Sequence, residues 1–88
     1  MQTHKNRVAV VSGAAKGIGQ ELAIQLAQRG AVLALLDIAD LSQTCELIEE
    51  GGGQAIAIHC DVSQEADWIA AGEKVKNHYG RCDILVNN

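Results

Sequence analysis

The chain has 88 residues, with seven Lys and Arg against eleven Asp and Glu and a formal net charge of −4. Its basic residues are scattered, so no patch for nucleic acid is indicated, and the longest uninterrupted apolar run, residues 31–36, is far too short to span a bilayer. Hydrophobic residues make up 48% but aromatics only 2%, so the core of one small domain must come from Ala, Val, Ile and Leu, and a chain of this length buries only roughly 60 to 65% of its unfolded surface.

In chain order, residues 1–6 read as a short polar, disordered lead-in with no signal-type apolar region, which points to a cytoplasmic protein. A buried strand follows over 7–12 and runs straight into a loop with glycines at Gly13, Gly17 and Gly19. From Gly17 to Arg29 the apolar residues Ile18, Leu22, Ala23, Leu26 and Ala27 share one helical face, and Gly30 supplies the stop. Residues 31–36 form a continuous apolar run of strand length ending on Asp37, as a buried parallel strand does. Asp40 is read as the cap of a second helix with Gln43 at its third position. Leu41, Cys45 and Ile48 form its buried stripe, and Gly51, Gly52 and Gly53 end it.

A third strand over 55–60 leads to Asp61. Ser63 then reads as the cap of a helix whose stripe is Trp68, Ala71, Gly72, Val75 and Tyr79, closed by Gly80, and a fourth strand covers 83–86. Cys45, Cys60 and Cys82 are odd in number and contain no C-x-x-C pair, so they read as small buried hydrophobes rather than as a metal site or a disulfide. His4, His59 and His78 are far apart and read as surface residues. Strand and helix alternate three times and end on a fourth strand, the pattern of an α/β protein with a doubly wound parallel sheet in the order 3-2-1-4.

That order brings Ser12, Asp37, Asp61 and Asn87 to one rim, the carboxyl ends of the strands, where such sheets bind ligands. The glycine loop at the same rim aims backbone N–H groups and a helix dipole at one point, which suits a phosphate or pyrophosphate. Glycines that merely relieve strain in a βα turn are the alternative. Asp37, eighteen residues beyond Gly19, is placed to accept hydrogen bonds from an adenosine ribose. A 2′-phosphate in that place would repel it by roughly 4 kcal/mol at about 4 Å and an effective dielectric of about 20. Lys16 in the loop pulls the other way, but by on the order of 1 kcal/mol or less, so NAD is expected over NADP.

These residues resemble the short-chain dehydrogenases/reductases. The family motif Thr-Gly-x-x-x-Gly-x-Gly is matched by Ser12-Gly13-Ala14-Ala15-Lys16-Gly17-Ile18-Gly19 with Ser for Thr, Asp61-Val62 looks like the family's adenine-pocket pair, and the residues from Asp83 to Asn88 look like its fourth strand entering Asn-Asn-Ala-Gly. The resemblance implies a Rossmann-type fold and an NAD(P)-binding domain over 1–88. It places Gly13, Lys16, Gly17, Ile18 and Gly19 around the pyrophosphate and ribose, Asp37 and Ile38 at the adenosine ribose, Asp61 and Val62 at the adenine, and Asn87 and Asn88 at the inner ribose. Ser12 completes this set at the end of the first strand.

The family's catalytic Ser, Tyr-x-x-x-Lys pair and Asn have no counterpart among these residues, since Tyr79 is followed four residues later by Asp83. The chain is therefore expected to be the N-terminal, cofactor-binding part of a longer oxidoreductase that interconverts an alcohol and a ketone, cut off after the fourth strand and inactive alone. By the same resemblance the full-length protein is a homo-oligomer with a small-molecule substrate. A non-catalytic nucleotide-binding or partner-binding module complete at 88 residues is the alternative.

Overall fold

The computed structural model describes residues 5–88; the expectations for residues 1–4, including His4, lie outside them. Seven elements follow in order: β1 (Val8–Ser12), α1 (Gly17–Gln28), β2 (Val32–Asp37), α2 (Ser42–Glu50), β3 (Gln54–His59), α3 (Glu65–Tyr79) and β4 (Ile84–Val86). Each expected element is present, with ends displaced by a residue or two. The end of the polar lead-in is tied down, since the Asn6 N–H donates to the Gly30 carbonyl at 3.2 Å.

All four strands are parallel, in the order β3-β2-β1-β4. The register pairs Val8 with Val32 and Ser12 with Leu36, Val11 with Val86, and Asp37 with His59, so the strands end at nearly one level. Alternate residues then face opposite ways. Ala9, Val11, Leu33 and Leu35 pack with Ala23, Leu41 and Ile48 of the α1 and α2 side. Val8, Val10, Ala34, Leu36 and Ile58 pack with Ala71 and Val75 of α3 on the other face, flanked by Trp68 and Tyr79. β1 is buried at every position and β2 over its four central residues, which is why both read as unbroken apolar runs. Burying a side chain such as Leu33 contributes about 1.5–3 kcal/mol.

Four local expectations are corrected, at Ile18, Ser63, Asp40 and Cys82. Periodicity puts Ile18 on the buried face of α1, but it is 72% exposed: in the first helical turn it is Gly19 that is buried and closes on the Gly13 carbonyl. Ser63 does not cap α3: the cap position is Gln64, without a side-chain bond, and the Ser63 hydroxyl donates instead to Asp61 Oδ1 at 2.6 Å. Asp40 accepts the Ser42 N–H at 2.9 Å, but from one residue before the cap position, which is Leu41. Among the cysteines Cys60 is buried and Cys45 half-buried, whereas Cys82 is exposed in the turn before β4.

Candidate functional site

The loop between β1 and α1 is shaped by its glycines in two different ways. Gly13 and Gly17 both sit at φ +63, a region that L side chains rarely adopt. At Gly19 the constraint is contact: an added Cβ would lie 2.0 Å from the Gly13 carbonyl oxygen. The first turn of α1 therefore closes directly on the loop. The α1 cap position, Lys16, makes no side-chain cap bond, and no acidic residue stands in the first turn. Its first N–H groups lack intrahelical partners by geometry, so the positive end of the helix faces the rim uncompensated.

Within the loop, the N–H and the carbonyl of both Ala14 and Ala15 are engaged. Ala14 N–H donates to the Leu36 carbonyl at 3.3 Å and Ala15 N–H to Asp37 Oδ2 at 3.0 Å. On the opposite side, the Thr44 hydroxyl donates to the Ala14 carbonyl at 2.8 Å, and Gln20 Nε2 donates to the Ala15 carbonyl at 3.2 Å and to Thr44 Oγ1 at 3.0 Å. Sequence reasoning missed both residues. Thr44 left one signal, a polar residue on the same helical face as Leu41 and Ile48. Gln20 left none.

Asp37 closes β2 half-buried, with Oδ2 on Ala15 and Oδ1 accepting the Ala39 N–H at 3.0 Å. Burial pushes this carboxyl up, but the N–H groups of Ala39, Ala15 and Ile38 and the charge of Lys16 outweigh it and hold it below the usual carboxylate range. Next to it, Asp61 follows β3 and accepts both the hydroxyl and the N–H of Ser63, which together lower its pKa. The Asp61 N–H donates to Asp67 at 2.8 Å, and Trp68 Nε1 donates to the Val62 carbonyl at 2.7 Å, so α3 sets the position of residues 61 and 62.

At the fourth strand, Asp83 seats β4 against β1 by accepting the Val8 N–H at 2.8 Å while Arg81 pairs with its other oxygen. Ser12 is fully buried. Its hydroxyl donates to Asn87 Oδ1 at 3.1 Å and accepts the Asn88 N–H at 3.0 Å, so it holds the end of β4 and does not line open space. Asn88 lies over Gly13, its Nδ2 3.0 Å from where a Cβ there would stand.

These residues enclose a shallow cavity of about 110 Å³ lined by Gly13, Asp37, Ile38, Asp61, Val62 and Asn88, with Cys60 at its floor. Three large apolar side chains stand exposed beside the loops of this rim: Ile18, Ile38 and Val62. A concavity of about 400 Å³ lies elsewhere, between α3 and the β1/β4 side of the sheet. It is lined mainly by apolar side chains such as Val10, Leu36 and Leu85 and brings together none of the expected rim residues. No group of His, Cys, Asp and Glu able to hold a metal occurs among the described residues, and no described helix is long and apolar enough to cross a membrane.

A family model described as short chain dehydrogenase matches residues 7–88. The chain belongs to the short-chain dehydrogenase/reductase family. It is 40% identical over 86 residues to the short-chain dehydrogenase/reductase homolog YusS of Bacillus subtilis, covering 94% of this chain and 79% of that protein. It is 39% identical over 84 residues to the 7alpha-hydroxysteroid dehydrogenase of Escherichia coli, covering 93% of this chain and 33% of that one. The crystal structure of a hydroxysteroid dehydrogenase from Escherichia coli superposes with a TM-score of 0.94 at 36% identity, over 97% of this chain and 37% of the other. The chain thus spans about a third of the length of these two dehydrogenases.

The short-chain dehydrogenase/reductase family implies a nicotinamide dinucleotide cofactor. The start of α1 leaves room for such a group: a Cβ added at Gly17, its first residue, would meet nothing within 4 Å, and the helix end there is uncapped. A pyrophosphate needs that space and those N–H groups.

Proposed function

We propose that this chain is the dinucleotide-binding part of an NAD-dependent short-chain oxidoreductase whose whole protein interconverts an alcohol and a ketone in the cytoplasm. The observation that carries the reading is the Asp37 carboxylate, fixed by Ala15 and Ala39 beside the open end of α1. Each oxygen accepts one of these N–H bonds and keeps a lone pair for a ribose hydroxyl. The charge that attracts two hydroxyls repels a 2′-phosphate by roughly 4 kcal/mol at about 4 Å, and exposed Lys16 returns on the order of 1 kcal/mol or less.

In this reading Gly13, Lys16, Gly17, Ile18 and Gly19 hold the pyrophosphate and Asp37 and Ile38 the adenosine ribose. Asp61 and Val62 hold the adenine. Asn87 and Asn88 face the inner ribose, and Ser12 acts through them. Exposed Ile18, Ile38 and Val62 would cover the ligand and exclude water. When bound, the nicotinamide supplies or accepts the hydride. Tyr79 is unsuited to the accompanying proton transfer, because its hydroxyl donates to the Leu33 carbonyl at 3.0 Å and burial pushes its pKa up. The 88 residues alone are therefore expected to bind nucleotide without turnover.

Amide resonances followed during a titration with ADP-ribose test the site. Gly17, Ile18, Gly19, Asp37 and Val62 should move first, and shifts confined to the apolar groove between α3 and β4 would sink the assignment.

One observation favours a second reading, a nucleotide-binding module without hydride transfer: the Bacillus subtilis relative is covered over 79% of its own length and is thus itself short. Assay of the native gene product with NAD and a panel of secondary alcohols separates the two. Turnover supports the enzyme, whereas nucleotide binding without any turnover supports the module.

A further inference from the structure

Thr44 is the one buried polar residue of α2, fully enclosed, and it meets the glycine loop from the α2 side without reaching Asp37 itself. Its hydroxyl is nevertheless one link in a continuous chain of hydrogen bonds. Gln20 Nε2 donates to Thr44 Oγ1, Thr44 Oγ1 donates to the Ala14 carbonyl, and the N–H of the same peptide unit, that of Ala15, donates to Asp37 Oδ2. A trans peptide is planar and its C=O and N–H point in opposite directions. Fixing the Ala14 carbonyl on the α2 side therefore fixes the Ala15 N–H on the Asp37 side. The same logic applies one peptide later, where the Ala15 carbonyl is held by Gln20 and the Lys16 N–H is turned the other way.

We propose that Thr44, supported by Gln20, is a positioning residue for the Asp37 carboxylate, acting through the Ala14–Ala15 peptide, and thereby tunes the discrimination between NAD and NADP. Its bearing on the cofactor rests on the function proposed above; its bearing on Asp37 rests on this geometry alone. The hydrogen bonds are arranged head to tail, so each polarises the next, and loss of the Thr44 hydroxyl weakens the donor that Asp37 depends on. The Ala39 and Ile38 N–H groups and the charge of Lys16 remain to hold the carboxylate, so the effect is a shift and not a collapse.

The test is a carboxyl-carbon NMR titration of Asp37 in the wild-type chain, Thr44→Val and Thr44→Ser. Valine keeps the shape and deletes the hydroxyl, and serine restores it. The Asp37 pKa should rise in Thr44→Val and return towards the wild-type value in Thr44→Ser. If Thr44→Val does not fold, Gln20→Met should raise it in the same direction. An unchanged Asp37 titration in a folded variant, with only the thermal midpoint lowered, would overturn the proposal.

Competition between NADH and NADPH then reads the consequence, a loss of about threefold in the preference for NADH in Thr44→Val. A preference unchanged while the titration shifts would remove Thr44 from cofactor discrimination. Absence of binding to the wild-type chain would count against the functional reading and leave the titration to decide the positioning role.

Discussion

The Ala15 N–H donates to the Asp37 carboxylate at 3.0 Å, between residues twenty-two apart in the chain. The glycine loop after β1 and the last residue of β2 are thereby one unit: the group suited to a ribose and the loop suited to a pyrophosphate cannot move independently.

Asp37→Asn keeps the shape of this contact and removes the charge. The preference for NAD over NADP should fall at least tenfold, because the repulsion of a 2′-phosphate is the largest single contribution to it. Competition binding of the two oxidised nucleotides checks this, and thermal unfolding should show only a modest loss.

Substitutions at two glycines should differ in kind. Gly17→Ala meets no neighbour and carries only the strain of its φ of +63, about 1–2 kcal/mol. Gly19→Ala drives a Cβ onto the Gly13 carbonyl and must displace backbone. It should cost more stability than Gly17→Ala and abolish measurable nucleotide binding, as read by urea unfolding and calorimetry.

Acid should weaken the fold through Asp37 and Asp83. Backbone N–H bonds, against the opposing pull of burial, hold Asp37 low, and for Asp83 the Arg81 side chain and then the Val8 N–H do so. A carboxyl depressed in the folded state contributes stability above its unfolded pKa, near 3.9, and loses it as pH falls through the folded value. The thermal midpoint should therefore drop as pH falls below about 4, and Asp83→Asn should flatten that drop. A midpoint in Asp83→Asn that falls as steeply as in the wild type would contradict this.

A cavity in the core should cost more than any of these. Leu33→Ala empties a fully buried position in β2, a strand paired on both sides, and is expected to destabilise by about 2–5 kcal/mol, measured by chemical unfolding.

The strand order and rim were legible because each strand is a short apolar run bounded by turn residues and because Gly13, Gly17 and Gly19 occur at a diagnostic spacing. Periodicity misplaces Ile18 because it carries no information on which residue of the first turn closes on the Gly13 carbonyl. Residue type alone points to Ser63 and Asp40 as caps, whereas both side chains bond within the tight turns just before the helices. The roles of Thr44 and Gln20 come from the packing of α1 beside α2: Gln20 leaves no local signal, and Thr44 only a polar residue on the face of Leu41 and Ile48. Cys82 is exposed although its residue type is usually buried, because it falls in the turn that leads into an edge strand.

Calorimetric titration of the chain with NAD and with NADP, under identical conditions, tests the central claim most directly. Binding of both with NAD the tighter is the predicted result, and NADP the tighter, or no binding of either, would contradict it.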